Sequence, residues 1–325
     1  MSFCGDCRQT DMTIATDHAA FTELLQRHRR ELHVHCYRML GSFDECEDLV
    51  QETFLRAWRG RATFAGRSSL RAWLYRIATN ACLDALDKRP RTPLSGEILW
   101  LQPYPDELLD ELPAAEHDPH AAVVEKETIE LAFLVAIQHL APLPRAVLIL
   151  RDVLGCSAEE TSELLETTVA SVNSALQRAR AGMRDHLPER RLEWGPDTEP
   201  TAGERRLLDR VVELTERADA RGLANVLHED VRFTMPPQPG VWQGRDHVVQ
   251  SWIDGGFGSE AFGSLRCLIT RANRQPAVAN YVKRPGDPAH LPLALDVLRI
   301  QDGAVIDIIT FGQEVFPAFH VPRSI

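Results

Sequence analysis

The chain has 325 residues, of which 44% are apolar and 26% charged, and a formal net charge of −11. Such a length and composition suit two or three globular domains, each with its own core, and exclude a disordered, collagen-like or disulfide-stapled chain. Counted by segment, residues 1–91 carry +2, 92–125 carry −8, 126–203 carry −4 and 204–325 carry −1. The acidity is therefore concentrated in one stretch and does not argue against an anion-binding surface elsewhere.

Residues 1–15 are polar and read as a flexible tail, with Met12 an alternative start. Cys4 and Cys7 have the spacing of a metal or thiol pair, but seven cysteines scattered along predicted helices fit a reducing compartment, and no metal site is expected. Apolar positions at Phe21, Leu24/Leu25, His28, Leu32, Cys36 and Met39/Leu40 predict an amphipathic helix over 17–40. His33 and His35 are expected to pack or lie at the surface rather than bind a metal. The next helix is announced by capping boxes at Ser42/Glu45 and Asp44/Glu47 and by Cys46, Leu49/Val50, Thr53/Phe54 and Ala57/Trp58 at helical spacing. Between Thr53 and Arg91 stand nine Arg or Lys against Asp84 and Asp87 alone, with Trp58, Phe64, Trp73 and Tyr75 interleaved. Cations neutralise phosphates and aromatic rings stack on unpaired bases, so this composition suits single-stranded or melting DNA. A helical hairpin with a solvated Arg face would look the same.

The stretch DECEDLVQETFLRAW followed by SSLRAWLYRIATNACLDALDKR resembles region two of the extracytoplasmic-function (ECF) sigma factors of the sigma-70 family. The resemblance implies a region-two domain over 16–91. It implies docking on the clamp coiled coil of core RNA polymerase through Asp48, Leu49, Gln51, Glu52, Phe54 and Leu55. It further implies capture of the −10 promoter strand by Trp58, Phe64, Ser68, Ser69, Arg71, Trp73, Arg76, Asn80, Lys88 and Arg89. The loop Gly60–Ser69 would accept a flipped base, with Phe64 either walling that site or anchoring a small core.

From 92 to 125 there is no Lys or Arg, while eight acidic residues accumulate among prolines. Such a segment cannot bury enough apolar surface to fold alone and is expected to be an extended linker, either a mimic of nucleic acid in the polymerase channel or a plain solvated tether. Residues 126–188 read as helical, with Gly155 as a left-handed cap and Ser157/Glu160 as a capping box. A final helix carries Val169, Val172, Leu176, Ala179 and Met183 on one stripe, which is a helix-turn-helix pattern. The run LPRAVLILRDVLGCSAEETSELLETTVASVNSALQRAR resembles sigma region four, implying −35 contacts by Thr168, Ser171, Asn173, Ser174, Gln177, Arg178 and Arg180 and a contact with the polymerase flap. Glu166 stands where the family commonly has Gly, which would strain the turn if its φ is positive.

Residues 189–203 form a second linker. Beyond it the pattern changes to an amphipathic helix from Glu204 to Gly222, a helix near Arg245–Asp254, and strand-like runs at Val231–Met235, Arg266–Arg271, Val278–Lys283, Leu291–Ile300 and Ala304–Phe311. LANVLHEDVRFTMPPQPGVWQGRDHVV resembles the SnoaL-like, nuclear-transport-factor-like cone, an α+β fold with a curved antiparallel sheet. Asp302-Gly303 is a type I′ hairpin signal, and a two-residue turn there places Asp296 and Asp307 diagonally on one apolar face. Such paired carboxylates would repel and raise a pKa, as a base or ligand anchor requires. His228 and Asp230 are candidates by residue type only, and a possible pocket is drawn from Phe233, Trp242, Trp252, Tyr281, Asp296 and Asp307.

The expectation is a non-enzymatic cytoplasmic transcription initiation factor without cofactor or membrane partner. Two all-α sigma domains would bind core polymerase and promoter DNA, and the cone at 204–325 would contact them and regulate in cis, with a small ligand possible. The alternative is a cone-fold enzyme of the proton-transfer type, or a ligand sensor, carrying a helix-turn-helix repressor.

Overall fold

The computed structural model describes residues 18–61, 64, 69–89, 100–110, 129–186 and 201–325. The tail at 1–15, Ser68 and most of both linkers lie outside them. Contacts divide the chain into two units. One holds the described residues up to Arg89 together with 129–186, and the other holds 100–110 together with 201–325.

The first unit is helical. The helix expected over 17–40 is two, α1 (His18–Arg27) and α2 (Arg29–Leu40), divided at His28, and α2 stops at Gly41 with φ 71°. In α3 (Phe43–Gly60), Ser42 caps by accepting from the Glu45 amide, and Cys46, Val50, Thr53 and Ala57 form the buried stripe. The α4 helix (Leu70–Lys88) starts at Ser69, whose hydroxyl accepts from the Ala72 amide. Core polar groups are matched across these helices. His35 Nε2 lies 2.9 Å from Thr79 Oγ1, which itself donates to the Tyr75 carbonyl, so the ring donates. Burial pushes the imidazoles down, to about 3 for His35 and about 4 for His33. Both histidines are packing residues.

Among the described residues four further helices belong to this unit. They are α6 (Leu131–Gln138), α7 (Pro142–Leu148, continued by a π-turn over Ile149–Val153), α8 (Ala158–Leu164) and α9 (Val169–His186), where α5 denotes the short helix Asp106–Asp110 of the other unit. Gly155 has φ 68°, and both halves of the Ser157/Glu160 capping box form. Arg145 of α7 joins this part to α2: its guanidinium donates to the carbonyls of Met39, Gln138 and Leu140 and to the Gln138 side chain. Gln138 in turn donates to the Arg38 carbonyl at 3.3 Å and packs on Gly41.

The second unit is built on a six-stranded sheet of order β2-β1-β6-β5-β4-β3: β1 Leu227–Met235, β2 Gln238–Gln243, β3 Ser264–Ala272, β4 Gln275–Lys283, β5 Leu291–Gln301 and β6 Ala304–Gly312. Helices α10 (Ala202–Glu216), α11 (Ala220–Val226) and α12 (Arg245–Asp254) accompany it. Leu208, Val231, Phe233, Val248, Leu298 and Ile308 belong to the core between helices and sheet. The sheet is mixed, not antiparallel as expected, because β1 and β6 run parallel. Alternation in sequence fixes the face a residue points to but carries no strand direction. Asp302 (φ 51°) and Gly303 (φ 75°) form the expected type I′ turn, and Asn273 and Arg274 form another between β3 and β4.

Two expectations fail here for identifiable reasons. A register shift between Arg299 and Ile300 keeps Ile300 opposite Val305 but sets Arg299 opposite Asp307 and Asp296 opposite Thr310. One extra residue flips everything beyond it, so Asp296 and Asp307 lie on opposite faces. The linker expected over 92–125 is also not free throughout. Tyr104 is fully buried, its amide donates to Asn273 Oδ1 at 2.7 Å, and its carbonyl accepts from the Asn273 amide at 2.9 Å. Pro105 bridges Ala272, Asp106 accepts from the Arg274 amide at 2.7 Å and pairs with Arg271 at 3.2 Å, and Asp110 pairs with Arg274. The segment cannot bury itself, but it completes its hydrogen bonds on the β3–β4 turn.

Candidate nucleic-acid interface and cone cavity

Because Cys46, Val50, Thr53 and Ala57 face inward, α3 turns Asp48, Gln51 and Leu55 to solvent, with Leu49, Glu52 and Phe54 half-buried at its edges. Leu55 is 50% exposed. Acidic side chains flanking an exposed leucine suit a basic, partly apolar protein partner.

The residues expected to hold the −10 strand divide. Arg71 and Lys88 are exposed, and Arg76, Asn80 and Arg89 are half-buried. Arg71 pairs with Glu31 at 2.6 Å and lies over the Tyr75 ring, while Arg89 pairs with Glu45 at 2.6 Å. Trp58 is half-buried and carries Arg61 on its face at 3.9 Å. Phe64 and Trp73, in contrast, are buried against each other with ring centroids 5.2 Å apart, and Ser69 is spent as a helix cap. Phe64 is thus the anchor of a small core, and neither ring is available to a base in this arrangement. An aromatic at helical spacing reads the same from sequence whether it faces core or solvent.

The residues expected to contact the −35 element lie on and just before one helix. Val172, Ala175, Leu176, Ala179 and Met183 are buried, which leaves Thr168, Asn173, Ser174, Gln177, Arg178 and Arg180 exposed and Ser171 half-buried along α9. Thr168 caps this helix by accepting from the Ser171 amide at 3.1 Å. Arg178 donates to Ser174 at 2.7 Å, and Arg180 is held by both oxygens of Asp152, at 2.7 and 3.0 Å. The turn before α9 carries Glu166 with φ 51°, the strained geometry that a glycine would relieve.

In the second unit, a cavity of about 370 Å³ opens between the sheet and α10–α12. Phe233, Trp242, Trp252 and Asp296 line it, as expected. Tyr281 and Asp307 do not. Tyr281 lies on the other face, donating to the Pro322 carbonyl at 2.8 Å and packing edge-on against Phe316. Asp307 pairs there with Arg299 at 3.6 Å; its burial raises its pKa, opposed by Arg232 and Arg299. His228 and Asp230 are exposed near the start of β1 and do not line the cavity.

Sequence reasoning missed the two side chains that hold Asp296. Asn280 Nδ2 donates to Oδ2 at 2.7 Å, and Thr310 Oγ1 donates to Oδ1 at 2.5 Å. Burial raises the Asp296 pKa and these two hydrogen bonds oppose the rise. The signal was present, since Asn280 is the one amide in the apolar run Val278–Val282.

Comparison with known proteins identifies the two helical regions. Residues 24–92 match the family model Sigma-70 region 2, and residues 130–183 match Sigma-70, region 4. The chain is 40% identical over 327 aligned residues to the ECF RNA polymerase sigma factor SigG of Mycobacterium tuberculosis, covering 95% of this chain and 85% of that protein. It is 31% identical to SigW of Bacillus subtilis, over 53% of this chain and 90% of that one. The crystal structure of SigJ from M. tuberculosis superposes with a TM-score of 0.58 at 23% identity, covering 94% of this chain and all of that one, which shows a shared fold. Both sigma regions, their order and the near full-length likeness to SigG place this chain in the family of ECF RNA polymerase sigma factors.

Proposed function

We propose that this sigma factor docks on core RNA polymerase through the exposed face of α3 and reads the −10 strand with Arg71, Arg76, Asn80, Lys88 and Arg89 around Trp58. The −35 element is read in the major groove by the polar face of α9. Binding energy comes largely from phosphate neutralisation, which makes promoter affinity salt-dependent. The C-terminal cone regulates these steps in cis and performs no covalent chemistry in initiation.

The observation that carries the cis-regulatory reading is the clamp on residues 100–110. This stretch lies between regions two and four in the chain, yet Tyr104 and Asp106 are fastened to the Asn273–Arg274 turn of the cone. A tether held there is not free to follow two regions that engage separate promoter elements. Run-off transcription with core polymerase compares the full chain, a 1–203 truncation and a double variant, Arg271→Glu with Arg274→Glu, which repels Asp106 and Asp110. Defined transcripts that increase at least threefold on truncation and in the double variant support the restraint. Equal transcript levels from all three proteins would discard it, and an absence of transcripts from every protein would discard the initiation reading itself.

A further inference from the structure

The described lining of the cone cavity carries a single ionisable carboxyl, Asp296. At about 370 Å³ it falls in the size range of small-molecule sites, roughly 300–1,000 Å³. Its walls carry the rings of Phe233, Trp242, Trp252, Phe257 and Phe262. Among the described residues that line it there is no Lys, Arg or His, and Asp296 is the one carboxylate. Anionic ligands such as phosphorylated metabolites or fatty acids would find no countercharge.

The hydrogen-bond chain behind Asp296 has a direction. Cys267 Sγ lies 3.2 Å from Asn280 Oδ1, and burial pushes its thiol up to about 12, so it stays protonated and donates. That fixes the Asn280 amide with its NH₂ toward Asp296, where it donates to Oδ2. Thr310 donates to Oδ1 from the neighbouring strand β6. Among the described residues both side-chain partners of Asp296 are donors, so each of its oxygens accepts one bond from the protein. An ionised carboxylate has about four lone-pair sites, and two remain for the cavity. Burial still disfavours its charge, and Thr310 and Asn280, whose hydrogen bonds offset this, are neutral. A ligand that brings a cation removes that penalty.

We propose that the cone is a binding site for an apolar, ring-containing amine, whose protonated nitrogen donates to Asp296 while its rings lie among the aromatic walls. The proposal concerns the cone alone and stands or falls independently of promoter recognition. Its chemistry is binding only, and no bond is made or broken.

The test is titration of the full-length protein with 9-(aminomethyl)anthracene and with its methyl, hydroxymethyl and carboxylate counterparts, followed by anthracene fluorescence. The amine is expected to bind at least tenfold more tightly than the methyl and carboxylate compounds. Asp296→Asn should erase that preference while leaving the methyl compound's affinity within threefold of wild type. Val305→Trp, which fills the cavity, should abolish binding of all four. Should Asp296→Asn melt at a lower temperature, Thr310→Val serves in its place, expected to alter the amine's affinity at least threefold and the methyl compound's by less. A carboxylate that binds as tightly as the amine, a preference that survives Asp296→Asn, or amine binding that survives Val305→Trp would overturn the site. A hydroxymethyl compound that outranks the amine would overturn the cationic head, and no amine binding up to its solubility limit would overturn both.

Discussion

Glu166 shows how much one backbone angle can matter in the turn that precedes α9. Its φ is 51°, and its carboxylate is exposed just before α9. Glu166→Gly should stabilise the first unit by about 0.5–1 kcal/mol, since glycine adopts this conformation without Cβ strain. The same change removes a negative charge from the path of DNA, so −35 binding by the holoenzyme should tighten about two- to threefold, read by electrophoretic titration at fixed salt. An unchanged thermal midpoint would show that the angle is not strained. His35 makes a second prediction. Its folded pKa, about 3, lies below the unfolded value near 6.5, so between these pH values the unfolded chain binds more protons and stability rises with pH. Acidification from pH 6.5 to 5 should therefore cost up to about 2 kcal/mol through this one ring. His35→Gln should be less stable at pH 7 but flatter in its pH dependence, as measured by urea unfolding at each pH. At this scale the exposed polar face of α9 was legible because exposure follows from the stripe Val172–Met183. Phe64 and Trp73 were not, because spacing cannot say which side of an aromatic carries the neighbour.

At the level of elements, the strands of the cone were legible from β-branched runs and the Asp302-Gly303 turn, and five of the six match the expected runs. The short edge strand β2 was not, since Pro239 and Gly240 interrupt any alternation. The bulge between Arg299 and Ile300 was invisible for a deeper reason. Both faces of β5 and β6 are apolar, so neither register offends the hydrophobic pattern, and only partner side chains such as Thr310 decide. The same limit hid the docking of residues 100–110. Proline and acid content predicts that a segment will not fold by itself, but says nothing of a surface elsewhere that completes it. Tyr104→Ala tests how firmly it is seated. Removing a fully buried ring should cost the second unit roughly 3 kcal/mol and leave 100–110 open to proteolysis. A variant with wild-type resistance to chymotrypsin and an unchanged melting profile would mean that the clasp rests on the Asn273 and Asp106 bonds alone.

For the whole molecule, the consequential fact is that regions two and four share one unit. The promoter elements they read are centred about 25 base pairs apart, about 85 Å of B-DNA at 3.4 Å per base pair. Domains in contact cannot span that distance, so the arrangement in which Arg145 joins α7 to the Met39 carbonyl must open when the holoenzyme forms. The clasp is well suited to be broken as one step. A single buried guanidinium, its pKa pushed down to about 9 by burial, collects carbonyls from both regions, and Gln138 adds the Arg38 carbonyl. Arg145→Met keeps the aliphatic stem and deletes the donors. Lost charge-assisted bonds of this kind cost about 1.5–3 kcal/mol, which would shift the free protein toward the open form. The variant should show a larger radius of gyration in small-angle scattering at unchanged helical circular dichroism. It should also bind core polymerase at least fivefold more tightly, because less of the binding energy is spent on opening. If the radius grows but polymerase affinity does not, opening is not what limits binding. If neither changes, the regions are held by their apolar contacts and the Arg145 network serves region four alone.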